Sequence, residues 1–103
     1  DKVVYSLNYF NDAAEAADNI VLVMPIPDEV TYLDGSADNN VAQTTYSVDA
    51  GQSFAPRADL RIQQADGTTR SATATDITHI KWLVQTPVAP NTGGTLAYSG
   101  RLK

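Results

Sequence analysis

Cysteine is absent from this 103-residue sequence, and histidine occurs only once. Without thiols the chain can form no disulfide bond, no thiolate metal site and no cysteine nucleophile. Zinc and copper sites rely on nitrogen and sulfur ligands, so a single imidazole nearly excludes them. Stability must therefore come from packing, and we expect neither a metal ion nor another cofactor.

Long apolar runs are also missing. The longest, residues 20–24, is far too short to cross a bilayer, and the first residues do not resemble a secretory signal. These features predict no direct insertion into a membrane. The sequence begins at Asp1 without a methionine, which suggests a processed or excised segment.

Positive charge is scarce, since seven Lys and Arg stand against twelve Asp and Glu for a formal net charge of -5. This balance opposes binding to the phosphate backbone, so we expect no nucleic-acid partner. The acidic residues are scattered, which is typical of a solubilising surface. Calcium binding stays an alternative for the Asp- and Asn-rich loop of residues 34–40, although its spacing does not match the EF-hand pattern.

What the sequence does contain is alternation of apolar and polar residues, the period-two pattern of half-buried strands. The pattern is clear at the beginning of the chain, at its end and around the only tryptophan, which we place at the centre of the core. Inward-facing core side chains are predicted at Tyr5, Leu7, Leu22, Trp82 and Tyr98.

Residues 20–24 are apolar on both faces of the predicted strand. Two interpretations fit, namely a central strand covered on each side or a strand with an apolar outer surface. The strand ends at Pro25 and Pro27, whose missing N–H groups stop a regular ladder. Weaker strands are predicted at residues 30–33, 44–48 and 60–62.

Short strands at regular spacing, separated by Gly, Asn and Asp and without a convincing helix, indicate an all-β sandwich or a small barrel. We favour the sandwich, with about seven strands. No internal repeat and no Pro- or Ser-rich linker divides the chain. Residues 1–103 are therefore predicted to form a single immunoglobulin-like β-sandwich domain.

The sharpest local motif is SVDAGQSF at residues 47–54, which resembles the Asp-box hairpin S-x-D-x-G-x-T-W. Asp49 can accept hydrogen bonds from amides of the turn, Gly51 can adopt a positive φ, and Phe54 can fold its ring over the hairpin. In sialidases and other propellers the similar motif lies away from the catalytic site. We therefore interpret Ser47, Asp49, Gly51 and Phe54 as a structural hairpin.

Catalytic residues are not apparent in the sequence. The one imidazole, His79, lies in the strand of Trp82 but on the opposite face, and no motif marks a nucleophilic serine beside it. A hydrolase fragment, suggested by the Asp-box-like motif, is the weakest hypothesis because a paired acid and base are missing. We expect a domain without enzymatic activity.

Four pieces of the chain, taken in order, resemble the conserved repeat domain of unknown function found in bacterial and archaeal surface proteins. They are VVYSLNYFNDAAEAADNIVLVMPIPDEVTYLDGSA, YSVDAGQSF, ATATDITHIKWLV and PVAPNTGGTLAYSGRLK. The family usually has an acidic residue just before its Pro-x-Pro, where this chain has Met24. The resemblance implies an immunoglobulin-like sandwich that is one repeat of a long exported protein, with no assigned catalytic residues.

Two functions follow from these expectations. The resemblance implies a structural or spacer module, extracellular or on the cell surface, whose partners are neighbouring domains of the same polypeptide. The alternative is an adhesion module that binds a glycan or a protein through residues 34–40 and 87–94 at an end of the sandwich. Exposed aromatic rings would serve such binding, and Phe10 and Phe54 are predicted to be exposed.

Overall fold

The computed structural model describes residues 2–18, 20–38, 42–85 and 87–103. Eight strands lie in these ranges: β1 Lys2–Asn11, β2 Val21–Pro25, β3 Val30–Tyr32, β4 Ala42–Ser47, β5 Arg61–Gln63, β6 Thr69–Ser71, β7 His79–Val84 and β8 Thr92–Leu102. Two short 3-10 turns occupy Arg57–Asp59 and Ala74–Asp76. The described residues include no α-helix.

Two antiparallel three-stranded sheets form the sandwich. One sheet has the strand order β1-β8-β3 and the other β2-β7-β4, while β5 and β6 pair separately. The Oη atoms of Tyr32 on β3 and Tyr46 on β4 lie 3.1 Å apart, so β3 faces β4 across the core. It follows that β8 faces β7 and β1 faces β2. The predicted all-β sandwich is confirmed.

The longest ladder joins β1 to β8, from Lys2 opposite Arg101 to Asn11 opposite Thr92. From Lys2 to Phe10 exposed and half-buried residues alternate along β1, as the period-two sequence pattern predicts. On β8 the inward positions Leu96 and Tyr98 are fully buried.

Trp82 lies at the centre of the core with none of its surface exposed. Its indole Nε1–H donates a hydrogen bond to the carbonyl oxygen of Ala37 at 3.0 Å, which satisfies the only polar atom of the ring. Among the other predicted core residues, Tyr98 is fully buried, and Tyr5 and Leu22 are half-buried against the core. Leu7 is half-buried but does not join this cluster, because its edge strand lacks cover on one side.

The segment that is apolar on both faces forms an edge strand, not a central one. Strand β7 occupies the middle of the sheet, and β2 lies beside it. The outward side chains of Val21 and Val23 remain 52% and 47% exposed. The interpretation as a strand with an apolar outer surface is therefore the correct one of the two.

Several strand boundaries differ from the prediction. Strand β6 was not expected, and residues 92–94, expected in a loop, belong to β8. Two glycines explain the second difference, because Gly93 and Gly94 let β8 approach β1 closely. A Cβ atom on Gly93 would collide with the carbonyl oxygen of Tyr9.

The two long sides of the sandwich differ in how well they cover the core. On the closed side, formed by β3 and β4, the inward side chains of Val30, Tyr32, Ala42 and Tyr46 are buried. Residues 56–77 contribute further buried side chains to this core, namely Leu60, Ala72 and Ile77. On the open side, formed by β1 and β2, the inward side chains other than Asn11 at the end of β1 are only half-buried.

Candidate functional site

After β4 the chain reverses direction through the 47–55 hairpin, the segment from Ser47 to Ala55. Main-chain hydrogen bonds close it in both directions between Tyr46 and Ala55, at 2.9 and 3.0 Å. The hairpin therefore returns alongside β4 and occupies the outer edge of that strand at Tyr46.

Ser47 organises the first half of the hairpin from a fully buried position. Its hydroxyl donates to Asp49 Oδ1 at 2.6 Å and accepts hydrogen bonds from the amides of Asp49 and Gly51 at 3.2 and 2.9 Å. Gly51 has φ +89°, a left-handed conformation that glycine adopts without the Cβ penalty of other residues. One hydroxyl thus satisfies three polar groups of the turn.

Asp49 organises the second half. Its carboxylate accepts hydrogen bonds from the amide of Ser53 at 3.0 Å and from the Ser53 hydroxyl at 2.6 Å. The hydrogen bonds from Ser47 and Ser53 stabilise the ionised form and lower the pKa of Asp49 to about 2. Asp49 is therefore a carboxylate at neutral pH, with both oxygens engaged by its own hairpin.

Thr78 and His79 attach the hairpin to β7. The Thr78 hydroxyl accepts the amide N–H of Ala50 at 3.1 Å and donates to the carbonyl oxygen of Ser47 at 3.3 Å. Nδ1 of His79 lies 3.1 Å from the same hydroxyl, and its ring lies against Gly51, where a Cβ would be 3.7 Å from Cδ2. His79, expected on the surface, is half-buried against the turn.

Phe54 does not have the exposure predicted for it. The ring is half-buried, and Nζ of Lys81 on β7 lies 4.6 Å from its centroid, in cation–π geometry. The hairpin therefore folds onto the outer face of the β2-β7-β4 sheet. Phe10, by contrast, is 64% exposed, in agreement with the prediction.

Two clefts flank the 47–55 hairpin. The first, of about 500 Å³, lies against β5, and the second, of about 510 Å³, lies against the end of β2. In the first, Asp49 and Ser53 already bind each other. In the second, His79 and Thr78 are engaged by the hairpin. These polar groups in the walls of the clefts therefore form hydrogen bonds that hold the hairpin in place.

The two loops proposed for ligand binding are not brought together. Ser36 contacts the second half of β8, where its hydroxyl donates to Ser99 O at 3.1 Å, whereas Gly94 lies near the beginning of that strand. Five residues separate Gly94 from Ser99, or roughly 17 Å along an extended strand. A single ligand would have to span this distance to contact both loops.

The loop of residues 34–38 also has contacts that compete with calcium. Both oxygens of Asp34 accept hydrogen bonds from the guanidinium of Arg57, at 2.7 and 3.3 Å. Asn39 and Asn40, which completed the proposed ligand set, lie outside the described residues. Within the described ranges there is no group of three or more acidic or histidine residues arranged to hold a metal ion.

Three polar anchors were not predicted. Asn11, buried at the end of β1, donates to the carbonyl oxygens of Glu15 and Val88, both at 2.8 Å, and so joins two loops. Arg57, in the segment that packs against the closed side, forms an ion pair with Asp34, which follows β3. In the third anchor, Asp76 accepts from Arg70 and from the amide of Thr73, and these interactions lower its pKa. Only this one has a sequence signal, the T-x-x-D spacing of a capping box.

Comparisons with known proteins add no relatives. No protein-family model matches the chain, and no curated protein or solved structure is significantly similar to it. The resemblance to the surface-protein repeat therefore stays a prediction. In the described part of the chain, no helix is long and apolar enough to span a membrane.

Proposed function

We propose that the chain is a non-catalytic structural module of a larger exported or cell-surface protein. The supporting observation is that, among the described residues, the carboxylate of Asp49 accepts hydrogen bonds only from Ser47 and Ser53 of its own turn. The motif that most resembles a chemical site in the sequence serves to fix a hairpin on the sheet.

The neighbouring polar side chains are also engaged in structural hydrogen bonds. Thr78 and His79 would be a hydroxyl and a base at hydrogen-bond distance, but the hydroxyl already binds Ala50 and Ser47. An attacking hydroxyl would need to release these contacts and separate the hairpin from β7. The arrangement favours a scaffold over an acyl-transfer site.

The location and role are tested in the parent protein. Protease treatment of intact cells should digest the module while it is part of the full-length polypeptide, and an antibody against residues 1–103 would detect the fragments. Replacement of the module by an unrelated β-sandwich of similar length should keep the parent displayed and functional. Detection of the module only inside the cell, or loss of function on replacement, would count against a spacer role.

A second function, binding of a glycan or a protein, has one observation in its favour. The exposed ring of Phe10 lies at the end of the sandwich beside Asn11, which joins the two loops there. Its neighbour on β8 is Gly93, which leaves the ring without a side chain beside it. Sugar rings stack on exposed aromatic faces of this kind.

The binding function is tested on a glycan array with the wild-type chain, Phe10→Ala and Phe54→Ala. Binding that disappears in Phe10→Ala and persists in Phe54→Ala would support the site at Phe10. Equal signals from Phe10→Ala and the wild type, or no signal from any of them, would remove that support.

A further inference from the structure

The outer edge of β1 presents main-chain groups that no other strand of the described chain pairs. Strand β8 lies between β1 and β3. On the β3 side of β8, the amide of Leu33 donates to Ser99 O at 3.0 Å and the amide of Lys103 donates to Glu29 O at 2.9 Å. Main-chain groups alternate in direction along a strand, so those of Gly100 and Tyr98 face β1.

Because Gly100 and Tyr98 lie opposite Val3 and Tyr5, the odd-numbered residues of β1 bond to β8. The even-numbered residues therefore direct their N–H and C=O groups to the free edge, and in the described part of the chain no strand pairs with that edge. They are Lys2, Val4, Ser6, Asn8 and Phe10.

The edges of β2 and β4 are protected, and that of β1 is not. Strand β2 is five residues long and ends at Pro25, which has no N–H group. The edge of β4 is occupied at Tyr46 by Ala55. Strand β1 has ten residues in continuous register, contains no proline and carries one charge, Lys2. A long, regular, nearly uncharged edge is a template for pairing with another strand.

The side chains around this edge are incompletely covered. The inward-facing Tyr5 and Tyr9 are half-buried, and the outward-facing Val4 and Phe10 are each 64% exposed. A strand added beside β1 would cover both sets, because it would extend the inner and the outer face of the sheet together.

We propose that the free edge of β1 binds β1 of a second copy of this chain, antiparallel and centred on Ser6. This register pairs Ser6 with Ser6, Val4 with Asn8 and Lys2 with Phe10 of the partner. It is the register that uses all five outward-directed residues, and it forms about ten main-chain hydrogen bonds. On the inner face it places Tyr5 beside Leu7 and Val3 beside Tyr9.

Charge favours the same register. The chain has a net charge of -5, but the only charge within β1 is the positive charge of Lys2, so no acidic residue lies within the paired strands. Each Lys2 would lie next to the exposed ring of the partner's Phe10, the contact that Lys81 and Phe54 already make within one chain. No like charges are placed opposite each other.

The size of the contact sets the expected affinity. Strand β1 is about 33 Å long, and the sandwich is 19 Å along its thinnest axis, which gives on the order of 600 Å² for each copy. Twice that area is at the lower limit for specific, stable interfaces. We therefore expect a reversible dimer with a dissociation constant in the micromolar range.

Sedimentation velocity of the 103-residue chain between about 10 µM and 1 mM tests the dimer. The wild type should dissociate on dilution, and Ser6→Lys should weaken association about fivefold because two like charges then lie directly opposite. Ser6→Glu should weaken it similarly. An equimolar mixture of the two variants should restore it, since opposite charges then meet at the centre.

Cross-linking tests the register independently. The chain has no cysteine, so Ser6→Cys introduces one thiol at the proposed two-fold axis, and a short bis-maleimide, which alkylates one thiol at each end, should link it as a dimer. Ser71→Cys, on the exposed strand β6, is the matched control and should stay monomeric. A wild-type chain that stays monomeric at 1 mM would overturn the proposal. Equal cross-linking of the Ser6→Cys and Ser71→Cys variants, or an equimolar mixture of Ser6→Lys and Ser6→Glu that does not associate, would do the same. These results would also be expected if a strand other than β1 of a second copy covered this edge.

Discussion

The closed side and the open side of the sandwich are built from strands of the same kind, yet they bury their inner faces to different degrees. Tyr32 on the closed side is fully buried, whereas Tyr5 on the open side is half-buried, although both project inward against Tyr98. The difference lies in what covers each edge. Residues 56–77 lie against β3 and β4, and no comparable segment of the described chain lies against β1 and β2.

Alternation in a sequence therefore sets which face of a strand is inward, while burial depends on segments distant in the chain. Tyr32 owes its burial partly to Tyr46, whose hydroxyl lies 3.1 Å from its own, and to the amide of Ala37, which donates to it. Burial and the hydrogen bond to Tyr32 raise the pKa of Tyr46 well above its ordinary value. Burial likewise raises the pKa of Tyr98 to about 12. The hydroxyls of Tyr46 and Tyr98 therefore stay protonated at physiological pH.

The largest expected effect comes from truncating one inward tyrosine on each side. Tyr32→Ala should lower the free energy of unfolding by about 3 to 5 kcal/mol, because it leaves a cavity and unpaired groups in a covered core. Tyr5→Ala should cost about 1 to 2 kcal/mol, since the ring is already half in water. Urea denaturation measures both. Equal losses would show that the two sides are covered alike.

A smaller loss of stability is expected when residues 56–77 are held less firmly against the closed side. Arg57→Ala removes the contacts to Asp34 and to the carbonyl oxygen of Ala72, and should cost about 1 kcal/mol because the ion pair is partly exposed. Hydrogen exchange should accelerate in residues 57–77 and leave β1 unchanged. Arg61→Ala is the control, since Arg61 bonds only to nearby carbonyls of its own segment. Uniform acceleration across the chain would contradict a local role.

Acid should weaken the hairpin of the closed side through Asp49. Its folded pKa, about 2, is below the ordinary value near 3.9, so its contribution to stability is complete above about pH 4 and is lost as the pH falls toward 2. Asp49→Asn should therefore flatten the decline of stability in that window. The measurement is urea denaturation from pH 6 to 2, with Asp12→Asn as control. A wild-type and an Asp49→Asn profile of the same shape would contradict it.

The smallest effect is expected on the outer surface of the open side. Val4→Thr should change the free energy of unfolding of the monomer by less than about 0.5 kcal/mol, because the side chain is already exposed. The same substitution at buried Val30 should cost about 1 to 3 kcal/mol, since the added hydroxyl is desolvated. Thermal melts at low protein concentration compare the two. A large loss for Val4→Thr would show that this face is covered in the monomer.

Period two was sufficient to predict much of the fold. It located β1, β7 and most of β8, and the exposure of Phe10 and the burial of Trp82 follow from strand position alone. The Asp49 turn was also visible, because each of its donors lies within four residues of Asp49. Local patterns predict local contacts.

Contacts between distant segments could not be predicted in this way. Phe54 is half-buried because Lys81, 27 positions further along the chain, lies over it, and Arg57 pairs with Asp34 across an intervening strand. Leu7 fits the inward pattern of β1 but lacks full cover, because cover depends on what packs beside an edge strand. The residues that flank these positions in the sequence give no indication of which distant residue they contact.

The pairing of Lys2 with Arg101 has a mechanical consequence. Tension applied through these two residues acts at the same end of the β1–β8 ladder and across its hydrogen bonds. Such a load separates the ladder one residue pair at a time, as a zipper opens, whereas tension along the strands would load all the bonds together. Forced unfolding is governed by the unfolding rate, so this geometry would let the domain yield to a weak pull despite a well-packed core.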